Sequence, residues 1–128
     1  MLGPRRKYSC AWWPEGVASL AEAEERALAA TCERAGLEDG QSILELGCGI
    51  GLASLVLQRR GADVLATDMH PLAETFLAYN AALNGLSAVR FRRLDWTRVR
   101  PVLGRFDLII AGDVLYERGQ AEALAGVI

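Results

Sequence analysis

Three glycines occupy alternate positions in the middle of the sequence, at Gly47, Gly49 and Gly51. Because glycine has no Cβ, a backbone with this spacing can turn sharply and approach a ligand closely. Asp68 follows about twenty residues later, at the spacing where a carboxylate accepts hydrogen bonds from the hydroxyls of a ribose. A glycine turn alone is weak support, since structural turns also use glycine. Together with the acid, it predicts a nucleoside site.

Other residue types that could do chemistry are few. The cysteines are Cys10, Cys32 and Cys48, and His70 is the single histidine. Their spacing fits neither a zinc site nor a disulfide framework, so we predict no metal site and a reducing, cytoplasmic location. Cys48 lies inside the glycine turn, where we expect a small residue with its backbone near the ligand rather than a nucleophile. His70 is expected to cap a helix or lie at the surface.

Composition and charge narrow the class of protein. The chain has 128 residues, a formal net charge of −2 and 52% hydrophobic residues, which is typical of a globular domain. The weak net charge argues against a nucleic-acid partner, and the arginines between positions 90 and 105 are interpreted as a solvated face. No apolar run is long enough to span a bilayer, and the N-terminal residues lack the apolar core of a signal peptide.

The elements that must position the glycines and the acid alternate between strand and helix patterns. Strands are predicted at 42–46, 63–67, 89–94 and 106–111, and helices at 19–36, 51–60, 71–84 and 117–128. Ser19 and Glu22 have the spacing of a capping box at the first helix. The expected core residues of the second and third helices are Leu52, Leu55, Val56, Leu72, Phe76, Leu77 and Leu83. Such alternation predicts an α/β fold with a parallel sheet covered on both faces.

The run ILELGCGIG, residues 43–51, resembles motif I of class I S-adenosylmethionine (SAM) dependent methyltransferases. The resemblance implies a Rossmann-like three-layer sandwich with strand order 3-2-1-4, lacking the usual strands 5–7. It also implies which residues would contact the cofactor. Glu45 and the turn of Gly47, Cys48, Gly49 and Gly51 would hold the methionine part of SAM. Asp68 would hold the ribose, Met69 would also contact the cofactor, and Asp95 and Trp96 would lie beside the adenine.

Two groups within that family are similar to different parts of the chain. Residues 8–49 look like the coclaurine N-methyltransferase and cyclopropane fatty acid synthase-like group, in which Tyr8 and Ser9 would touch the cofactor. On this resemblance, residues 1–18 would cover the cofactor or substrate and residues 19–128 would form the SAM-binding domain. From Ile50 onward the sequence is similar to the lysine methyltransferase-like group, whose D-x-x-Y motif corresponds to Asp113 and Tyr116.

The resemblance predicts methyl transfer from SAM to a nitrogen acceptor, either a protein lysine or a small amine. Asp113 and Tyr116 would be the catalytic residues, facing the accepting nitrogen. Two structural interpretations remain open: Asp113 caps the following helix, and Tyr116 packs rather than facing a ligand. In an open α/β sheet the ligand lies beyond the carboxyl ends of the strands, where the strand order reverses.

Two other functions are considered. The first is a non-catalytic module, derived from a methyltransferase, that binds SAM or a partner. The second is a nicotinamide-dependent oxidoreductase, which the G-x-G-x-G spacing disfavours because dinucleotide sites have G-x-G-x-x-G. Without strands 5–7 the strand at 106–111 would be an apolar sheet edge. Three interpretations remain open: the sequence is a fragment, a second copy covers the edge in a homodimer, or the protein is a degenerate remnant.

Overall fold

The computed structural model describes residues 11–98, 102–112, 114–116 and 118–128. The chain divides into two compact units, Met1–Leu37 and Glu38–Ile128. The boundary predicted at residue 18, which rests on the resemblance, concerns function and stays a prediction. Within the described ranges, no helix is both long enough and apolar enough to cross a membrane.

The described part of the first unit is organised around helix α1, Leu20–Arg34. The predicted capping box at its start is confirmed. The Glu22 amide donates to Ser19 Oγ (3.3 Å), and the Ser19 amide donates to Glu22 Oε2 (3.1 Å). Hydrogen bonds from the backbone of Ala18 and from Ser19 lower the pKa of Glu22. Each partner therefore satisfies a backbone amide that the helix itself leaves free.

The second unit is a parallel four-stranded sheet with a helix after its first, second and fourth strands. Its strands are β1 (Ser42–Leu46), β2 (Asp63–Asp68), β3 (Arg90–Arg93) and β4 (Leu108–Ala111), and its helices are α2 (Leu52–Arg59), α3 (Ala73–Leu83) and α4 (Arg118–Ala125). The strand order is β3-β2-β1-β4, and every pairing is parallel. The α/β fold class and the predicted order are thus confirmed. The order reverses at β1, so the carboxyl end of β1 is the expected ligand position.

The core lies on both faces of the sheet around β1 and β2, because side chains alternate along a strand. On one face Leu44 and Leu46 cluster with Leu94, Val114 and Leu124. On the other, Ala66 clusters with Cys48 and with residues of α2 and α3. Burial on both faces makes β1 the most enclosed strand, with four of its five residues buried.

The predicted core faces of α2 and α3 are only partly right. Leu55 and Leu77 are buried as expected, but Leu52 is 69% exposed. The other exposed residues that were expected in the core are Val56, Leu72, Phe76 and Leu83. The residues buried in their place are Ser54 and Leu57 in α2 and Ala73 and Ala81 in α3, and all but Leu57 are small. Small side chains let a helix approach the sheet closely, which a pattern of large apolar residues does not reveal.

Candidate functional site

The glycine turn connects the end of β1 to the start of α2. The Cys48 amide donates to the Thr67 carbonyl (2.9 Å), and the Gly51 amide donates to the Cys48 carbonyl (2.8 Å). All three glycines have positive φ, with +55° at Gly49. A Cβ built on Gly49 meets no atom within 4 Å, so that side of the turn faces open space. The backbone of the turn is therefore held from β2 while its outer side is open to a ligand.

Asp68 ends β2 directly beside this turn. Its Oδ2 accepts the Gly49 amide (2.8 Å) and its Oδ1 accepts the His70 amide (2.7 Å). The residue is 8% exposed. An ionised carboxylate offers about four lone-pair sites, so roughly two remain for further donors. This carboxylate can thus hold the turn and accept a pair of hydroxyl groups from a ligand at the same time.

Glu45 lies beneath the turn and is almost fully buried. It accepts a short hydrogen bond from the Ser54 hydroxyl, and the Thr67 hydroxyl donates to its backbone carbonyl (2.9 Å). Burial raises the pKa of Glu45, the charge of Asp68 raises it further, and the hydrogen bonds from Ser54 oppose the rise. A cation near this carboxylate would stabilise its ionised form.

Cys48 is buried in the turn. Burial, followed by the negative charges of Glu45 and Asp68, raises the pKa of its thiol to about 12. A thiol with such a pKa is protonated near neutrality and is not a nucleophile. This agrees with the expectation that Cys48 serves as a small residue.

Asp95 and Trp96 follow β3. Asp95 Oδ1 accepts hydrogen bonds from the Thr97 hydroxyl (2.5 Å) and amide (3.1 Å), which lower the pKa of Asp95. Trp96 Cη2 lies 3.6 Å from the position of a Cβ on Gly47, so the indole packs at the glycine turn. The Trp96 Nε1 atom is buried and has no hydrogen-bond partner among the described residues. The structure therefore brings Trp96 to the turn.

The segment after β4 carries the predicted catalytic residues. Val114 is buried and its Cγ1 lies 2.5 Å from the position of a Cβ on Gly47. Tyr116 is 78% exposed, and its backbone amide donates to Gln120 Oε1 (3.2 Å). This exposure contradicts packing of the Tyr116 side chain. Asp113, Tyr8 and Ser9 lie outside the described residues.

Three residues that support this arrangement were not predicted. Ser54 and Thr67 hold Glu45, and Val114 contacts the turn. Ser54 is a polar residue in an otherwise apolar helix run, which is a usable signal in the sequence. Thr67 and Val114 look like ordinary strand and core residues. His70, predicted as a cap or surface residue, is exposed and its Nδ1 accepts the Leu72 amide (3.2 Å) before α3.

Known proteins resemble the chain in sequence. A family model described as lysine methyltransferase matches residues 7–128. The electron transfer flavoprotein beta subunit lysine methyltransferase of Rattus norvegicus is 35% identical over 86 residues, which cover 66% of this chain and 33% of that protein. The protein N-lysine methyltransferase METTL21A of Xenopus tropicalis is 32% identical over 110 residues, covering 82% of this chain and 51% of that protein.

A solved structure is also similar. Coclaurine N-methyltransferase bound to N-methylheliamine and SAH has a TM-score of 0.69 and 30% sequence identity, over 87% of this chain and 33% of that one. Both groups that the sequence resembles are therefore represented. The chain spans about a third to a half of the length of these relatives. Because the family model matches nearly the whole chain, the protein belongs to the lysine methyltransferase family.

Proposed function

We propose that this chain binds SAM and forms the cofactor side of a methyltransferase that acts on a nitrogen acceptor. The observation that carries the proposal is the Asp68 carboxylate, which joins the Gly49 amide (2.8 Å) to the end of β2. It lies beside the turn at the carboxyl end of β1, where the strand order reverses. A carboxylate fixed in this way is oriented before the ligand arrives, so little ordering is needed on binding.

The residues present fit the proposed cofactor. The spare lone pairs of Asp68 match the two ribose hydroxyls of SAM. The open side of Gly49 leaves room for the chain that joins ribose to methionine. Exposed apolar side chains at Ile50 and Met69, next to the turn and to Asp68 in sequence, suit contact with an adenine ring. The buried Glu45 carboxylate would attract the amino group of the methionine part.

When bound, SAM would supply a methyl group that is already electrophilic on its sulfonium sulfur. The chain then has to align an acceptor nitrogen with that methyl and exclude water. We assign acceptor orientation and proton removal to Asp113 and Tyr116, which correspond to the D-x-x-Y motif. Tyr116 supports this role because it follows β4 and its side chain is exposed. Tyr8 and Ser9, from the proposed covering segment 1–18, would contact the cofactor.

Calorimetric titration with SAM tests the cofactor proposal. We expect saturable binding by the wild type and loss of binding in Asp68→Ala. The matched control is Asp39→Ala, which removes a carboxylate that has only a weak contact with Arg60 (3.8 Å) at the surface. Equal binding by all three proteins would contradict the role of Asp68. No binding by a folded wild type would contradict the cofactor and favour the non-catalytic partner module.

The proposed acceptor is a protein lysine or a small amine. The lysine methyltransferase relatives support the first, and the coclaurine N-methyltransferase similarity supports the second. Release of S-adenosylhomocysteine should be measured with electron transfer flavoprotein beta subunit and with a small cyclic secondary amine. Turnover with one acceptor would identify its class. SAM binding without turnover on either would favour the non-catalytic module.

The two edges of the sheet suggest how a partner would bind. Edge strand β3 carries three arginines, whereas edge strand β4 reads Leu-Ile-Ile-Ala. Charged edges resist pairing and apolar edges favour it, so we propose a homodimer through β4. Sedimentation of the wild type and of Ile110→Lys tests this proposal. A wild type that is monomeric at all concentrations would contradict it. The reducing cytoplasmic location and the absence of a nucleic-acid partner likewise remain proposals.

A further inference from the structure

Val114 differs from its neighbours in the segment that follows β4. Its side chain is 7% exposed and belongs to the cluster that contains Leu46 and Leu94. Leu115, the next residue, is 64% exposed, and Tyr116 is exposed further still. In the described residues between β4 and α4, Val114 is thus the residue whose side chain anchors the segment to the core.

The Val114 side chain packs on the glycine turn itself. A Cβ on Gly47 would lie 2.5 Å from Val114 Cγ1, closer than real side chains approach, and 3.6 Å from Trp96 Cη2. Val114 is short and enclosed, so it has no flexible end that could move aside. Gly47 also has a φ of +72°, which L side chains rarely adopt. Glycine is therefore needed at position 47 for the turn and for the contact with Val114.

We propose that Val114 is a positioning residue that couples the cofactor turn to the acceptor segment 114–116. A ligand bound on the turn removes the motion that the turn retains around its fixed geometry. It thereby also restricts a side chain packed directly on the turn, and the residues on either side of that side chain. Cofactor binding would thus order the segment that presents Tyr116. This inference rests on the proposed function, since it assigns Val114 to the same site.

Amide hydrogen exchange with and without SAM tests the coupling. In the wild type we expect SAM to slow exchange of the 114–116 amides by about five-fold or more, the lower end of coupling between sites in proteins. Val114→Ala should bind SAM but lose this protection. The matched control, Leu115→Ala, removes an exposed neighbouring side chain and should keep it. A merely structural Val114 would change stability without changing the response to SAM.

The outcomes separate this inference from the cofactor proposal. Failure of the wild type to bind SAM overturns the cofactor proposal and this inference with it. Binding that leaves exchange at 114–116 unchanged overturns the coupling alone. Protection that persists in Val114→Ala also overturns it.

Urea unfolding without ligand tests the underlying contact. Gly47→Ala should lower the unfolding midpoint strongly in the wild type and less in a Val114→Ala background, where Cγ1 no longer fills the space. The control is Gly85→Ala, which has a similar φ of +64° in open space and should have the same effect in both backgrounds. Equal effects of Gly47→Ala in the two backgrounds, or failure to fold in both, would overturn the contact.

Discussion

The glycine turn and the segment after β4 contact each other through Gly47 and Val114, yet they are held in different ways. Backbone and side-chain hydrogen bonds fix the turn, from Cys48 to β2, from Gly49 to Asp68 and from Asn80 to the Ile50 carbonyl (2.9 Å). The described part of the segment after β4 is anchored by one buried side chain, and the residues that follow it are exposed.

This difference indicates that the turn and the segment after β4 have different roles at the site. A turn held by several hydrogen bonds has its binding geometry before the ligand arrives, which suits a cofactor of constant structure. A segment with one buried side chain among its described residues and exposed side chains beside it can adapt, which suits the side of a site that selects among acceptors. Four changes test this difference between the two regions.

The largest expected loss is in Gly51→Ala, within the turn. A Cβ at this position would collide with the buried Leu77 side chain, and φ is +87°. Backbone strain of about 1–2 kcal/mol and overpacking of about 1–3 kcal/mol together predict a loss of roughly 2–5 kcal/mol in the free energy of unfolding. Urea unfolding measures it, with Gly85→Ala as a strain-only control. Equal losses in the two variants would contradict a role for the Leu77 contact.

Ser54→Ala should be the next largest change. It removes the hydroxyl that donates to Glu45 and leaves a buried carboxylate without that donor. We expect the free energy of unfolding to fall by about 1–3 kcal/mol. Thermal or urea unfolding at neutral pH measures the loss, and Thr75→Ala, at an exposed position of α3, is the control. A loss no larger than that of the control would contradict the contribution of the Ser54–Glu45 hydrogen bond to stability.

The pH dependence of the free energy of unfolding should report the raised pKa of Glu45. Its pKa is raised from 4.5, so the folded state favours the protonated carboxyl. The stability that this preference contributes is complete below the unfolded pKa and is lost as pH rises through the raised folded pKa. Glu45→Gln should remove that decline. Unfolding free energies of both proteins, measured from pH 4 upward, test it, and parallel curves would contradict the burial effect.

Tyr116→Phe should have the smallest effect on stability and a clear effect on catalysis. The side chain is exposed, so the free energy of unfolding should change by no more than about 0.5 kcal/mol. Loss of one hydrogen bond to the acceptor corresponds to about ten-fold in kcat. Urea unfolding measures the change in stability, and kinetics with an active acceptor, beside SAM titration, measure the change in catalysis. Weaker SAM binding with unchanged kcat would place Tyr116 on the cofactor side and remove the contrast between the two regions.

Local features were predicted well from the sequence. The capping box at Ser19 and the strand patterns depend on residues close together in the chain, as does the glycine turn. The faces of α2 and α3 were predicted less well, because both helices carry apolar residues on several sides. There the pattern favoured residues such as Leu52, whereas the buried positions that it missed are Ser54, Leu57, Ala73 and Ala81. A periodic pattern gives a helix but cannot select among several apolar faces.

The element order and the α/β class could be predicted from the sequence alone. So could the turn and the acid at the ends of β1 and β2, because all of these follow from backbone preferences and spacing. The side chains that support the turn and the acid became visible only in the folded structure. Ser54 reaches Glu45, Thr67 ties β1 to β2, and Val114 lies against Gly47 across more than sixty positions of sequence. Such contacts depend on how separate elements pack together. Ser54 stands out as a polar residue in an apolar helix run, but Thr67 and Val114 carry no local mark of that packing.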